Sequence, residues 1–264
     1  MHVISLSPVD LSISALLVIA LALLSIPMKL HLSRQLLFAG SRTVLQLSLV
    51  GMVLKALFDY MHPAGLAAVA AVMVGAAGVE IMRRQKRRFT GAWSIGVGTL
   101  SMFISSFCVT ILALTVVIDI RPWYHPQYAV PLLGMILGNT MSGIAVGLDR
   151  LTAVAWDQRT IIEARLTLGH RWSEAIEEIR RESIRSGLIP IINSMSVVGL
   201  VSLPGMMTGQ ILSGTLPMEA VKYQILIMFL IAGGTGFGTI LAVTLGARRL
   251  FDDRERLRLD RLRS

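Results

Sequence analysis

The chain has 264 residues, 54% of them hydrophobic and only 16% charged, with a mean hydropathy of +0.68. That charge content is well below the roughly 25% of soluble proteins, and so apolar a chain is not a disordered one. The lone Cys108 rules out a disulfide scaffold and leaves a thiolate zinc site without ligands, so an integral membrane protein remains.

A formal net charge of +9 and a pI near 10.6 would suit a nucleic-acid partner, but the placement of the basic residues argues for a membrane instead. Apolar runs occupy residues 11–27, 40–58, 64–82, 95–118, 129–148, 187–214 and 223–246. Each is long enough to cross a bilayer, the first only just. No Lys or Arg precedes that first run, which argues against a signal peptide. Of the 25 Lys and Arg, all but Lys55, Arg121 and Lys222 fall in alternate loops or at the helix ends beside them. Seven spans with this alternation predict an outside N-terminus and a cytoplasmic C-terminus. Trp123 and Tyr124 suit an outer aromatic belt, and Trp93 an inner one. The expected fold is all-α: a polytopic bundle of about seven transmembrane helices, forming a single membrane domain over 1–264, with the lipid bilayer and no nucleic acid as its surroundings.

Four pairs of glycines stand four residues apart: Gly134 and Gly138, Gly143 and Gly147, Gly205 and Gly209, Gly234 and Gly238. In lipid such spacing lets helix backbones approach closely, so these pairs predict a compact bundle or a subunit interface.

Polar residues inside the apolar runs are the candidates for a transport path. Arg42 and Gln46 share a helix face one turn apart, where Arg42 either snorkels to the interface or meets substrate. Lys55 snorkels at the opposite end, and Glu80 caps the basic cluster 83–88. Asn139 is expected to be buried, either bonding a neighbouring helix or lining the path. The sixth run carries Pro190, Asn193, Ser196, and the sequence Leu203-Pro204-Gly205-Met206-Met207. Proline and glycine together break a helix, and broken helices at membrane depth line cavities and transport sites. The thioethers of Met206 and Met207 either fill space or touch a soft metal. No metal site is assigned.

Residues 149–186 form the longest polar segment between two runs, on the side predicted to be cytoplasmic. The pattern predicts two amphipathic helices. The first covers 158–168, with Ile161, Ile162 and Leu166 on one stripe, and stops at Gly169. The second begins at Ser173 as N-cap. Its acids, Glu174, Glu177 and Glu178, come early and its bases, Arg180, Arg181 and Arg185, late, as the helix dipole favours. Glu177 and Arg181 are spaced to pair.

The stretch Glu163-Ala164-Arg165-Leu166-Thr167-Leu168-Gly169 resembles the EAA-x-x-x-G coupling motif of ABC transporter permeases, with Arg165 in place of an alanine and the trailing Leu188-Ile189-Pro190 displaced. More widely, Leu166 to Gly169, Ile184-Arg185, Leu188 to Pro190, Val198 to Met207 and Ala220 to Ile225 resemble the FetB/YbbM family. Gly134-Met135-Ile136 with Gly138-Asn139, and Arg42 with Gln46 and Lys55, fit the same pattern. The resemblance implies a permease subunit in a bacterial inner membrane, forming a homodimer and driven by a separate cytoplasmic ABC ATPase. Bacterial members of the family are associated with iron export, and plant members with aluminium tolerance and nucleotide-sugar transport. It implies that Glu163, Ala164, Gly169 and Arg185 couple to the ATPase. ATP and Mg would sit on that partner, and this chain would carry no cofactor. The translocation path is expected to use Asn139, Asn193, Ser196, Pro204, Gly205, Met206 and Met207.

The sequence has no G-x-x-x-x-G-K-[ST] phosphate loop, so this chain hydrolyses no ATP by a Walker mechanism. The glycine-rich run 233–238 lacks the lysine and reads as helix packing. His2, His31, His62, His125 and His170 show no i, i+3 or i, i+4 pairing, and no catalytic set emerges from spacing. An enzyme is therefore not expected. The rival transport reading is an ion-gradient-driven carrier, which needs protonatable groups at the bilayer midplane; Asp10, Asp119 and Asp149 all lie near span edges. An ABC permease for a nucleotide sugar or other small solute stays open beside metal export.

Overall fold

The computed structural model describes residues 7–59 and 62–263, and these divide into two compact units. The smaller holds two helices, α1 (Pro8–Leu24) and α2 (Ser33–Asp59). A capping box starts α1: the Ser7 hydroxyl accepts the Asp10 N–H at 3.3 Å and the Asp10 carboxylate accepts the Ser7 N–H at 2.8 Å, satisfying two amide donors that have no helical partner. The two helices approach where Gly40 meets Val18, whose Cγ1 would touch a methyl there at 3.6 Å. Helix α2 starts seven residues ahead of the predicted run. Its first two turns hold Arg34 and Gln35, which a hydropathy pattern rejects and a helix tolerates.

The larger unit contains α3 (Pro63–Arg84), β1 (Arg88–Phe89), α4 (Trp93–Leu112) ending in a π turn (Ala113–Val117), α5 (Pro126–Asp157), α6 (Arg159–Thr167), α7 (Trp172–Ala175), α8 (Glu177–Val197), α9 (Gly205–Leu212), α10 (Pro217–Arg249) and β2 (Leu262–Arg263). Among the described residues five helices are long and apolar enough to cross a membrane: α2, α3, α4 with its π turn, α5 and α10. Helix α1 is apolar but shorter.

Helices α5 and α10 form the centre. Ile136, Ile144, Leu148 and Leu151 of α5, and Ala242, Val243 and Ala247 of α10 with Leu250 just after it, are fully buried or nearly so. Glycines set how closely the backbones approach. A methyl on Gly187 of α8 would lie 2.6 Å from the Gly143 carbonyl oxygen of α5, and one on Gly147 would lie 2.9 Å from Val243 Cγ2 of α10. Gly234 and Gly238 face Ile136 and Thr140 of α5 just as tightly. These two glycine pairs do what their spacing predicts. Gly138, Gly205 and Gly209 have open space where a side chain would be, so those positions are not packing contacts within this chain. The many exposed large apolar residues, Leu45, Val72, Phe229 and Phe237 among them, suit a lipid surrounding and not water.

The sixth apolar run is two helices and not one. Helix α8 starts in the polar segment and continues without interruption through Pro190 to Val197, and the chain then turns over 198–204 before α9. The turn is held by Gly199 N–H donating to Ser202 O at 2.9 Å, with Gly199 at φ +83°, a conformation that favours glycine. The break therefore ends at Pro204, and Gly205 begins the next helix.

One end of this unit is sewn together from three chain segments. The loop after α3 is tied to α5: Lys86 N–H donates to Asp149 Oδ1 at 2.7 Å, and the Thr152 hydroxyl donates to Arg87 O at 2.8 Å. The C-terminal segment returns to that loop, where β2 pairs antiparallel with β1, Arg88 opposite Arg263 and Phe89 opposite Leu262. The polar segment between α5 and α8 joins the same end through Trp172. Trp93 lies there too, with the Arg249 guanidinium 4.6 Å from its ring centre.

Candidate functional site: a polar arm and a broken helix

Helix α5 runs nine residues beyond the predicted span, so the arm is carried on its extension. Helix α6 folds back from it with Ile162 buried against the core that holds Ala155, Ala175, Ile176 and Ile179. Gly169 ends α6 at φ +91°, the C-terminal stop expected of it. Ser173 is not the N-cap expected of it. The one-turn helix α7 begins at Trp172, and the Arg171 N–H donates to Glu174 Oε2 at 3.1 Å. Glutamate two residues into the helix takes the capping role because its longer side chain reaches back to that donor. Glu177 and Arg181 form the expected pair, and Arg165 reaches across to Glu178 at 3.4 Å. Exposed pairs of this kind each contribute about 0–1 kcal/mol, so they orient the arm more than they stabilise it.

Between α5, α6 and α8 lies an open cavity of about 900 Å³, walled by Arg150, Arg165, Arg181 and Arg185 and by Glu174, Glu177, Glu178 and Glu182. Both signs of charge stand around one recess, which suits a protein surface with complementary charges better than a small apolar ligand. Of the predicted coupling residues, Arg185 lines this recess, Glu163 and Ala164 are exposed on α6, and Gly169 is exposed at its end.

The predicted path residues do not converge. Asn139 is not buried. It sits on the exposed face of α5, and its side-chain amide donates to Met135 O, one turn back, at 2.8 Å. Ser142 lies on the same face and receives Arg84, whose Nε pairs with Glu80 at 3.2 Å. Glu80 thus holds the basic cluster, as expected. Asn193 and Ser196 are exposed on the last turns of α8, with the Ser196 hydroxyl donating to Ile192 O at 2.9 Å. Pro204 serves as a cap, its carbonyl accepting both the amide of Thr208 at 3.0 Å and its hydroxyl at 3.1 Å. Gly205 opens α9. Met206 and Met207, adjacent on that helix, face different recesses. Met206 lines one of about 270 Å³ with Met135, Tyr128, Gln210 and Tyr223. Met207 lines another of about 470 Å³ with Met195, Gln224 and Met228. The roughly 100° between successive helical side chains separates them, so the two thioethers do not form one ligand pair here. No group of three or more His, Cys, Asp or Glu side chains able to hold a metal ion occurs among the described residues.

Sequence reasoning missed the C-terminal clasp. The Glu255 carboxylate accepts the Trp172 N–H at 2.7 Å, Phe251 packs on the Trp172 ring at 5.8 Å between centres, and Arg248 stands 5.2 Å over that ring. Arg261 donates to the carbonyls of Arg249 and Phe251 at the end of α10. The signal was present: Leu257, Leu259 and Leu262 alternate with charged residues in a tail that otherwise reads as solvated. Asp252 is held down to about 2, chiefly by the Arg256 backbone N–H, then by the Arg256 side chain and the Arg254 N–H.

A family model described as "Uncharacterised protein family (UPF0014)" matches residues 8–251. A Synechocystis "UPF0014 membrane protein slr1647" is 42% identical over 232 residues, 86% of this chain and 87% of that one. The Escherichia coli "Probable iron export permease protein FetB" is 31% identical over 264 residues, 96% of each chain. The Arabidopsis "Protein ALUMINUM SENSITIVE 3" is 31% identical over 234 residues, 88% of this chain and 83% of that one. No solved structure gives a significant match. With a match over nearly its whole length, this chain belongs to the UPF0014 family of multi-pass membrane proteins.

Proposed function

We propose that this chain is the membrane-spanning permease subunit of an ABC transporter that exports iron or another metal ion or complex. ATP and Mg would bind a separate cytoplasmic ATPase, and two copies of this chain would form the membrane unit. The whole of 1–264 then acts as one permease domain in a bacterial inner membrane, crossing it about seven times, with the N-terminus outside and the polar arm and C-terminus inside. Iron comes from the name of the Escherichia coli relative, and the inside assignment from the excess of Lys and Arg at the arm's end.

The observation that carries this reading is mechanical. Helix α8 is one rigid rod from Glu177 in the arm to Val197 beside the break. A push on the charged recess at Arg185 therefore reaches the turn at 198–204 without passing through a flexible joint. Closure of the ATPase pair would move α6 and the start of α8, and α8 would carry the movement into the membrane, where the broken segment around Pro204 changes access to the substrate path. An unwired loop would dissipate such a displacement; a continuous helix transmits it.

The test is reconstitution. Vesicles with the arm facing inward, enclosing Fe(II), the ATPase and ATP, should release iron, and release should cease with an ATPase unable to hydrolyse ATP. Iron release by this chain alone, driven by a proton or sodium gradient, would establish a secondary transporter instead.

A further inference from the structure

Several hydroxyl groups in the middle of the bundle present an unusual arrangement. Ser101, Ser106 and Thr110 of α4, Thr140 of α5, and Thr235 and Thr239 of α10 are each at least 95% buried. None of their side-chain oxygens has a hydrogen-bond partner among the described residues. The local remedy is available, since a serine or threonine in a helix can donate to the carbonyl four residues back. Elsewhere this chain uses it: Thr43 donates to Ala39 O, Thr115 to Ile111 O, Ser142 to Gly138 O, and Ser183 to Ile179 O. The six bundle hydroxyls make no such bond.

Glycines stand opposite Thr140, Thr235 and Thr239. Thr239 Oγ1 would lie 2.9 Å from a methyl on Gly143, and Thr140 Oγ1 3.3 Å from one on Gly234. The Ser105 hydroxyl, which donates to Gly234 O at 3.0 Å, would lie 2.7 Å from a methyl on Gly238. Ser105, Thr140 and Thr235 sit near the midpoints of their helices. A bundle built only for packing would place apolar side chains here, because buried polar groups without partners are costly. The threonine methyls fill the glycine gaps, at 2.6 Å from the methyl position on Gly238, Gly143 and Gly187, while the hydroxyls beside them stay without a partner among the described residues. Small separations of the helices would expose a row of neutral oxygens.

We infer that the seam along α10, where it packs against α4, α5 and α8, is a closed hydrophilic passage within a single chain, which opens to admit water and a partly hydrated, oxygen-preferring cation. Neutral hydroxyl and water oxygens suit hard cations, and they replace part of a hydration shell without holding the ion tightly. The path residues named from sequence, Asn139, Asn193 and Ser196, lie on the outer surface of this unit and are not part of the seam. This inference rests on the permease reading for the identity of what moves, but not for the presence of water.

The experiment has two arms. In a Cys108→Ser background, Thr140→Cys and Thr239→Cys are placed singly in the full chain, with Met102→Cys as an apolar core control. Membrane vesicles containing the chain and its ATPase are treated, with and without ATP, with a membrane-impermeant cationic thiol reagent. The seam cysteines should react roughly tenfold faster than the control in at least one condition, a ratio in the range of ordinary conformational couplings. In the second arm, Thr140→Val and Thr239→Val together remove the hydroxyls and keep the shape. The variant should unfold at or above the wild-type temperature yet export Fe(II) roughly tenfold more slowly. Thr140→Ser and Thr239→Ser, which keep the hydroxyls, should export near the wild-type rate, and they take the place of the valine variant in the comparison should it misfold: loss of export in a folded serine variant contradicts the inference. Seam cysteines inert in every condition overturn it, as does a folded valine variant that exports at the wild-type rate. Reactive seam cysteines in a wild-type chain that moves no iron would support the hydrated seam while refuting iron export.

Discussion

The Trp172 amide and the Glu255 carboxylate meet at 2.7 Å although 83 residues separate them. Through this bond the C-terminal tail holds the start of the one-turn helix that links α6 to α8. The tail therefore acts as a clasp on the arm, with Phe251 and Arg248 closing on the Trp172 ring from the end of α10. The arm is consequently fixed at both ends: by the extension of α5 on one side and by the tail on the other.

Glu255→Ala should free that amide. Loss of a capping carboxylate costs about 1 kcal/mol, which should speed hydrogen exchange at Trp172 by roughly fivefold. Trp172 fluorescence should change with it, while exchange in the centres of α5 and α10 stays at the wild-type rate. Unchanged exchange at Trp172 would show that the clasp does not hold the arm.

The tail is also a pH-dependent element. Asp252 is lowered from 3.8 to about 2 in the folded chain. A depressed carboxylate contributes stability above its unfolded value and loses it as pH falls through its folded value. The tail should therefore stay docked from neutral pH to about 4 and loosen between about 4 and 2. Exchange at the amides of Arg254 and Arg256 measures this, and Asp252→Asn should abolish the dependence in that window. Undocking between pH 5 and 7 would contradict the assignment.

Glycine substitutions separate packing from open surface. Gly187→Ala sets a methyl 2.6 Å from a backbone carbonyl that has no freedom to rotate away. Overpacking of this kind typically costs about 1–3 kcal/mol, so the unfolding temperature in detergent should fall. Gly138→Ala meets nothing within 4 Å and should leave that temperature unchanged or raise it, since alanine favours helix over glycine. Equal effects at the two positions would show that the α5–α8 approach is not as close as described.

Met206→Leu combined with Met207→Leu should export at the wild-type rate. The two side chains face separate recesses, and leucine replaces methionine with little loss of packing. Selective loss of metal export at normal expression would instead make a thioether part of the path.

The sequence made much of this legible, and the failures have physical reasons. The apolar runs marked α3, α4, α5 and α10 because a membrane helix needs a long hydrophobic stretch whatever it packs against. The stop at Gly169 and the pair Glu177–Arg181 were readable because both are local. The continuity of α8 was not. Its polar first half and apolar second half look like separate elements, and Pro190 suggests a boundary that the helix passes through. Asn139 reads as buried because a polar residue in an apolar run needs a partner, and in the fold its own backbone supplies one. The clasp was hidden because Trp172 and Glu255 are joined only by the fold. The adjacency of Met206 and Met207 misled in the opposite way: neighbours in sequence diverge on a helix.

The most direct test of the central claim combines the arm with transport. Glu163→Lys and Arg185→Glu, introduced singly into the full chain and assayed with ATPase and ATP, should each cut Fe(II) export about tenfold or more, as expected for a coupling energy of roughly 1–3 kcal/mol. The circular dichroism and unfolding temperature should remain those of the wild type, because both side chains are exposed. Export at the wild-type rate by both variants, or by a chain lacking 159–175, would contradict an ATPase-driven arm.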